Sequence, residues 1–183
     1  MSKNLKVIQT TSRVLEIIYK VVGILCLVGA ICCLVGIGFL AFSRAFPKLA
    51  ETITSESGRT IKQLIGDCIV GFIVAATYFV VCKAHRDFFA MEQKVGTPFT
   101  MECAASFRVL GIIDIVVPVS LIIVVSIVSA IFKCWNDIRL DVSFGAGIAM
   151  ILLSFVFAYG AELEQGKGKE VAAPETEKEI ESK

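Results

Sequence analysis

The chain has one histidine, four prolines and one tryptophan, and its cysteines never fall as a Cys-x-x-Cys pair. With His85 as the only histidine and no paired thiols, the ligand spacing of a zinc site is missing, and so is the dithiol of a quinone-linked oxidoreductase. There is no Gly-x-Ser-x-Gly, no His-Glu-x-x-His and no phosphate-binding glycine loop followed by Lys and Ser or Thr. No catalytic residue, cofactor or metal is therefore expected, and the chain reads as a non-enzyme. Charge is scarce as well: 19% of residues are charged, against about 25% in soluble domains. A net charge of +1 lacks the basic excess that neutralises phosphates, which argues against direct nucleic acid binding.

What the chain has in quantity is apolar sequence, 56% of it, gathered into long runs. A bilayer core about 30 Å thick takes ~20 helical residues to cross. Val21 to Ser43 and Val142 to Ala161 are uncharged and long enough. Leu64 to Cys82 and Val109 to Phe132 each hold a single acid, Asp67 and Asp114. None of the runs shows strict alternation, so helices rather than barrel strands are expected. The first run exceeds the 7–15 residues of a signal-peptide core, which makes it a retained helix. The cysteines lie in or beside these runs, where they behave as small hydrophobes.

These runs predict an all-α fold: an integral membrane four-helix bundle over 1–165, with spans at about 15–43, 64–83, 107–132 and 142–162. Residues 166–183 form a charged tail, expected to be disordered or at most a frayed helix. Of the 18 Lys and Arg, twelve fall on the side of the two termini and the second loop, and six on the other side. Positive residues collect in the cytoplasm, so both termini are expected inside. Pro47 should end the helix leaving span one, and the polar stretch after it reads as a loop or short surface helix. Span two should run on through Glu92 and span three should start at Thr100 as N-cap, making a cytoplasmic helical hairpin. Trp135 reads as an interfacial anchor. Small residues four apart, Gly29 with Cys33, Cys32 with Gly36, Ser143 with Gly147 and Gly145 with Ala149, mark helix contacts within the bundle or across a homo-oligomer.

Asp114 is the sharpest candidate for chemistry, since an acid inside a span is costly and usually has a function. Pro118, four residues on, removes the helical donor to its carbonyl. Arg108, Arg86 or Lys20 are the expected partners. If Asp114 is instead a relay, the chain is a small transporter, carrier or resistance protein. Small four-span drug exporters have this size, but they carry an acid in the middle of span one, and none stands here. Glu162 and Glu164 are placed to meet the basic residues of the second loop.

Two stretches carry a family likeness. Gly96-Thr97-Pro98-Phe99-Thr100 followed by Phe107-Arg108-Val109-Leu110-Gly111 resembles the G-x-P-F-T…L-R-x-x-G segment of the YoaS-like bacterial membrane proteins. Phe157-Ala158-Tyr159-Gly160-Ala161-Glu162-Leu163 is similar to their F-x-Y-G-x-E-L ending. The likeness runs from about Ser12 to Gln165. The family's acidic continuation is replaced here by Gly166-Lys167-Gly168-Lys169. No activity is established for the family. Its members are often encoded beside small helix-turn-helix regulators, which implies a multi-pass protein of the bacterial cytoplasmic membrane with a regulatory role. The expected function is thus a membrane-anchored interaction protein. Its candidate site is Gly96, Pro98, Phe99, Thr100, Arg108, Asp114, Tyr159, Gly160 and Glu162, brought together at the cytoplasmic face. The lipid bilayer and a helix-turn-helix regulator are the expected partners.

Overall fold

A computed structural model describes residues 3–43, 45–95, 100–134 and 143–180, with side chains for 7, 9–43, 45–93, 100–134 and 145–163. The described residues form five helices: α1 (Lys3–Ser43), α2 (Pro47–Ser57), α3 (Ile61–Val95), α4 (Met101–Phe132) and α5 (Ser143–Ile180). Four of them contain segments long and apolar enough to cross a membrane: Gln9–Ser43, Ile61–Gln93, Met101–Phe132 and Gly145–Leu163. Their outward faces are apolar; Val35 is 67% exposed and Leu25 and Val80 64%. Such a surface suits lipid and would aggregate in water.

The connections follow local chemistry. Pro47 opens α2 at its first turn, where a missing N–H costs nothing. The helix is short, buries no residue and stops at Gly58, whose φ of 63° is the left-handed conformation that glycine adopts freely. Thr100 caps α4, its hydroxyl accepting from the Cys103 N–H at 3.1 Å, and Glu102 lies in the first turn. α5 does not end where the apolar pattern does but continues to Ile180. The charged tail, expected to be disordered or at most a frayed helix, continues α5 as a helix in spite of Gly166, Gly168 and Pro174. Trp135 lies outside the described residues.

The four long helices pack in the order α1, α3, α4, α5. Among the described residues each of the four neighbours only the next, so they form an open row. The α1–α3 contact is antiparallel and runs from Ser12, which donates to Glu92 at 2.7 Å, to Gly36 against Cys68. Its seam uses small residues: Gly29 faces Ala75, and Gly71 faces Cys33. Cys32, by contrast, is exposed. The α3–α4 contact runs from Met91 and Ser106 to Gly66 and Phe132.

The fourth helix departs from a simple hairpin. Phe107 meets Phe157, the Arg108 guanidinium lies 4.8 Å over the Phe155 ring, and Gly147 packs against Gly111, Asp114 and Ile115. At 1.5 Å per residue, α5 therefore starts roughly 20 Å short of the α4 C-terminus. Span four is set half a helix lower than the other three. The register follows from small residues, since Gly147, Ser154 and Ala161 are buried on α5 at intervals of seven. A seven-residue stripe of small side chains lets two helix backbones approach in lipid. A hairpin that paired Phe132 with Ser143 would instead set Arg108 level with Lys167. A bifunctional thiol reagent applied to the otherwise cysteine-free chain should thus link Arg108→Cys to Phe155→Cys and leave Arg108→Cys with Lys167→Cys unlinked. Linkage of the second pair alone would refute this register.

Candidate functional site

Asp114 belongs to α4, one turn before Pro118. Its partner is not Arg108, Arg86 or Lys20 but the one histidine. His85 Nε2 lies 3.2 Å from Asp114 Oδ2, with side-chain exposures of 4% and 11%. His85 Nδ1 lies 3.0 Å from the Val81 carbonyl. On the third side Tyr19 of α1 stacks on the imidazole, ring centroids 4.8 Å apart and planes 21° from parallel, and Phe89 stacks on Tyr19 in turn. Three helices thus meet at one polar centre.

The hydrogen-bond pattern limits the protonation states. A carbonyl only accepts, so Nδ1 carries a proton and donates it to Val81. One further proton then lies between Nε2 and Oδ2. It makes either an imidazolium with a carboxylate or a neutral imidazole with a carboxylic acid. Both arrangements leave the pair without net charge, the condition under which two ionisable groups tolerate a site removed from water. The space beside the pair is a cavity of about 30 Å³ reaching Thr77, Tyr78, Asp114 and Pro118. That is the volume of about one water molecule. The Asp114 carbonyl, which Pro118 leaves without its helical donor, lies at the same level.

The remaining sequence candidates separate into two groups. Thr100 is the α4 cap. Arg108 is held by a cation–π contact with Phe155, so its role is at the α4–α5 seam. Tyr159 is 64% exposed, Gly160 is half-buried and Glu162 is exposed. These residues lie toward the α4 N-terminus. Asp114 does not join them, because the fourteen residues from Thr100 place it about 21 Å along the helix. The expected convergence of Asp114 with the Thr100 and Tyr159–Glu162 segments is corrected accordingly. Gly96, Pro98 and Phe99 lie outside the described residues. Glu162 has no ion pair among the described residues.

His85 is the residue the sequence reading passed over as a site. The signal was present, since a lone histidine just beyond an apolar run pairs naturally with a lone acid in the next helix. A second feature of this end is an open, largely apolar cleft of about 390 Å³ between α3 and α4. It is lined by Ala84, Asp87, Phe88, Met91, Ala105, Ser106 and Val109, among others. Phe88 and Phe107 pack edge-to-face at 4.6 Å beneath it. Among the described residues no three His, Cys, Asp or Glu side chains are grouped to hold a metal ion. No protein-family model, curated protein or solved structure matches this chain.

Proposed function

We propose that the chain is a non-enzymatic, multi-pass membrane protein that holds a cytoplasmic partner at its α3–α4 hairpin. The observation that carries this reading is where space is available. The polar centre at Asp114 has room for about one water, whereas the hairpin offers an open apolar cleft more than ten times larger. A solute carrier needs its space at the polar centre; an interaction protein needs it on the surface. Phe88, Met91 and Val109 give the cleft an apolar wall, and Asp87 and Ser106 give it a polar edge. An amphipathic helix has the shape and chemistry to fill it. The concentration of Lys and Arg on this side supports a cytoplasmic placement. The likeness to YoaS-like proteins supports a bacterial cytoplasmic membrane and a helix-turn-helix regulator as partner.

Crosslinking in cells tests this. A DNA-binding regulator captured by the native chain should be lost with Ser106→Arg, which places a charge inside the cleft. It should be retained with Lys62→Gln at the opposite end of α3. Equal capture by both variants would sink the reading.

A second reading draws on the His85–Asp114 pair itself. One shared proton beside a water-sized cavity is the minimal equipment of a proton relay. That reading requires proton or solute flux in reconstituted vesicles that Asp114→Asn abolishes. Flux unchanged by that substitution would leave the pair a purely structural contact.

A further inference from the structure

The cleft between α1 and α3 combines two chemistries at one depth. Lys20 is the last charged residue before the uncharged run of α1, and Lys83 is the first after the apolar run of α3. In sequence they are 63 residues apart; the antiparallel α1–α3 register brings them to the rim of a single cleft of about 370 Å³. Arg86 joins them one turn along α3. Below the rim the walls turn apolar, formed by Gly23, Ile24 and Phe79. Glycine at position 23 matters, because a side chain there would project toward Cys82 and Phe79 and narrow the cleft.

The charge at the rim is unbalanced. Asp87 takes up Arg86 through its Nε at 3.0 Å and its Nη2 at 2.6 Å. The nearby Glu16 accepts from the neutral Gln93 amide at 2.8 Å, which leaves its charge in place, so the three basic residues exceed the two acids by one positive charge. Neither Lys20 nor Lys83 has a hydrogen bond or ion pair among the described residues. Two free ammonium groups thus stand over an apolar trough. The trough opens onto the exposed aliphatic face of α1 at Ile24 and Val28 and of α3 at Val80.

We propose that this cleft binds an anionic phospholipid, with its phosphate between Lys20 and Lys83 and an acyl chain along Ile24 and Phe79. A free phosphate would satisfy the lysines but leave the apolar wall without a role. A neutral zwitterionic lipid would satisfy the wall but bring its own cation toward the two ammonium groups. Only an amphiphile with net negative charge matches both halves. Lysines at this depth attract anionic lipid by an amount equivalent to about fivefold in affinity each, or roughly 25-fold for the two together. The proposal rests on the membrane-spanning helices and not on the partner at the hairpin, so the two can fail separately.

The test uses the full chain, extracted into micelles with phosphatidylglycerol or phosphatidylcholine added, and native mass spectrometry to count retained lipid. The native protein should retain phosphatidylglycerol in preference to phosphatidylcholine. The Lys20→Gln/Lys83→Gln variant should lower that retention by roughly 25-fold, and Lys20→Arg/Lys83→Arg should preserve it. Arg13→Gln removes a positive charge from the same end of α1 outside the cleft and should leave retention within about twofold of native. Far-ultraviolet circular dichroism of each variant confirms equal helix content, and the Arg pair keeps the test decisive if the Gln pair misfolds. Equal retention by the native and Gln-substituted chains would overturn the proposal. So would an equal loss with Arg13→Gln, which would indicate general surface attraction. Displacement of the lipid by millimolar inorganic phosphate would assign the site to a free anion instead.

Discussion

His85→Leu and Asp114→Leu, made separately, should each destabilise the chain by about 2–3 kcal/mol. The range lies between two measured behaviours. Breaking a buried ion pair by removing one partner costs about 3–5 kcal/mol, because the other group is left uncompensated. Hydrogen bonds between membrane helices average about 0.6 kcal/mol and reach about 1.7, because the separated helices find other partners. His85 and Asp114 belong nearer the first case, since their side chains are only 4% and 11% exposed. A stranded carboxyl can still protonate, which keeps the cost below the upper limit. The double replacement removes both polar groups and fills their space with aliphatic carbon, so it should cost less than either single change. Unfolding in mixed micelles, followed by circular dichroism, measures all three variants. Additive costs would mean that the pair is not coupled, and the polar centre would then lose its meaning as a unit.

Gly111→Ala is the second change expected to have a large effect. A Cβ at position 111 would come 2.7 Å from the Gly147 carbonyl oxygen and 3.0 Å from the Ile151 nitrogen. Both are backbone atoms, so no rotamer change relieves the clash and the helices must separate. Overpacking of this kind costs about 1–3 kcal/mol, and Gly111→Leu should exceed it. Loss of the α4–α5 contact would show as loss of the link between Arg108→Cys and Phe155→Cys, with α1 and α3 still packed. Gly145→Ala is the matched control. Nothing lies within 4 Å of a Cβ there, and in the first turn of α5 alanine for glycine gains no more than about 0.5–1 kcal/mol. An equal loss of linkage in both variants would show that α5 is held by something other than the Gly111–Gly147 crossing.

These two predictions differ in how far the sequence anticipated them. Asp114 was conspicuous because an acid in an apolar run has few innocent explanations. Its partner was not, since choosing among Lys20, Arg86, Arg108 and His85 requires the rotation of α3 about its own axis. A turn of 100° per residue separates His85 from Arg86, and that difference decides which of the two points at α4. Thr100 as N-cap and a break near Pro47 after the first span were legible, because each acts on backbone groups within four residues of itself; that Pro47 opens the next helix was not. Gly147 was legible as a contact residue, whereas Gly145 and Cys32 face away from the neighbouring helices of this chain, a difference hidden for the same reason as His85. Spacing alone identifies a face without saying which face is turned inward.

The register of α5 was out of reach in another way. Its length and composition match a full span, and nothing in residues 142–162 states where it begins relative to α4. That depends on Gly111 and Gly147 meeting, a choice among several small residues on each helix that only close packing resolves. The Lys20–Lys83 rim has the same origin. Each lysine is readable as the edge of its own apolar run, but their meeting is a property of the α1–α3 register.

The sequence by itself determined that this is a helical protein with four membrane-length apolar segments. Backbone groups in lipid must be satisfied internally, and a run of ~20 apolar residues has a helix as its only practical solution. Tertiary structure decided the rest: the open row of helices, the lowered fourth span, and the His85–Asp114–Tyr19 centre. Hydrophobicity is uniform around a lipid-facing helix and so carries no instruction about neighbours. Rotation and register are set by where small residues allow backbones to touch and where a buried charge finds its partner.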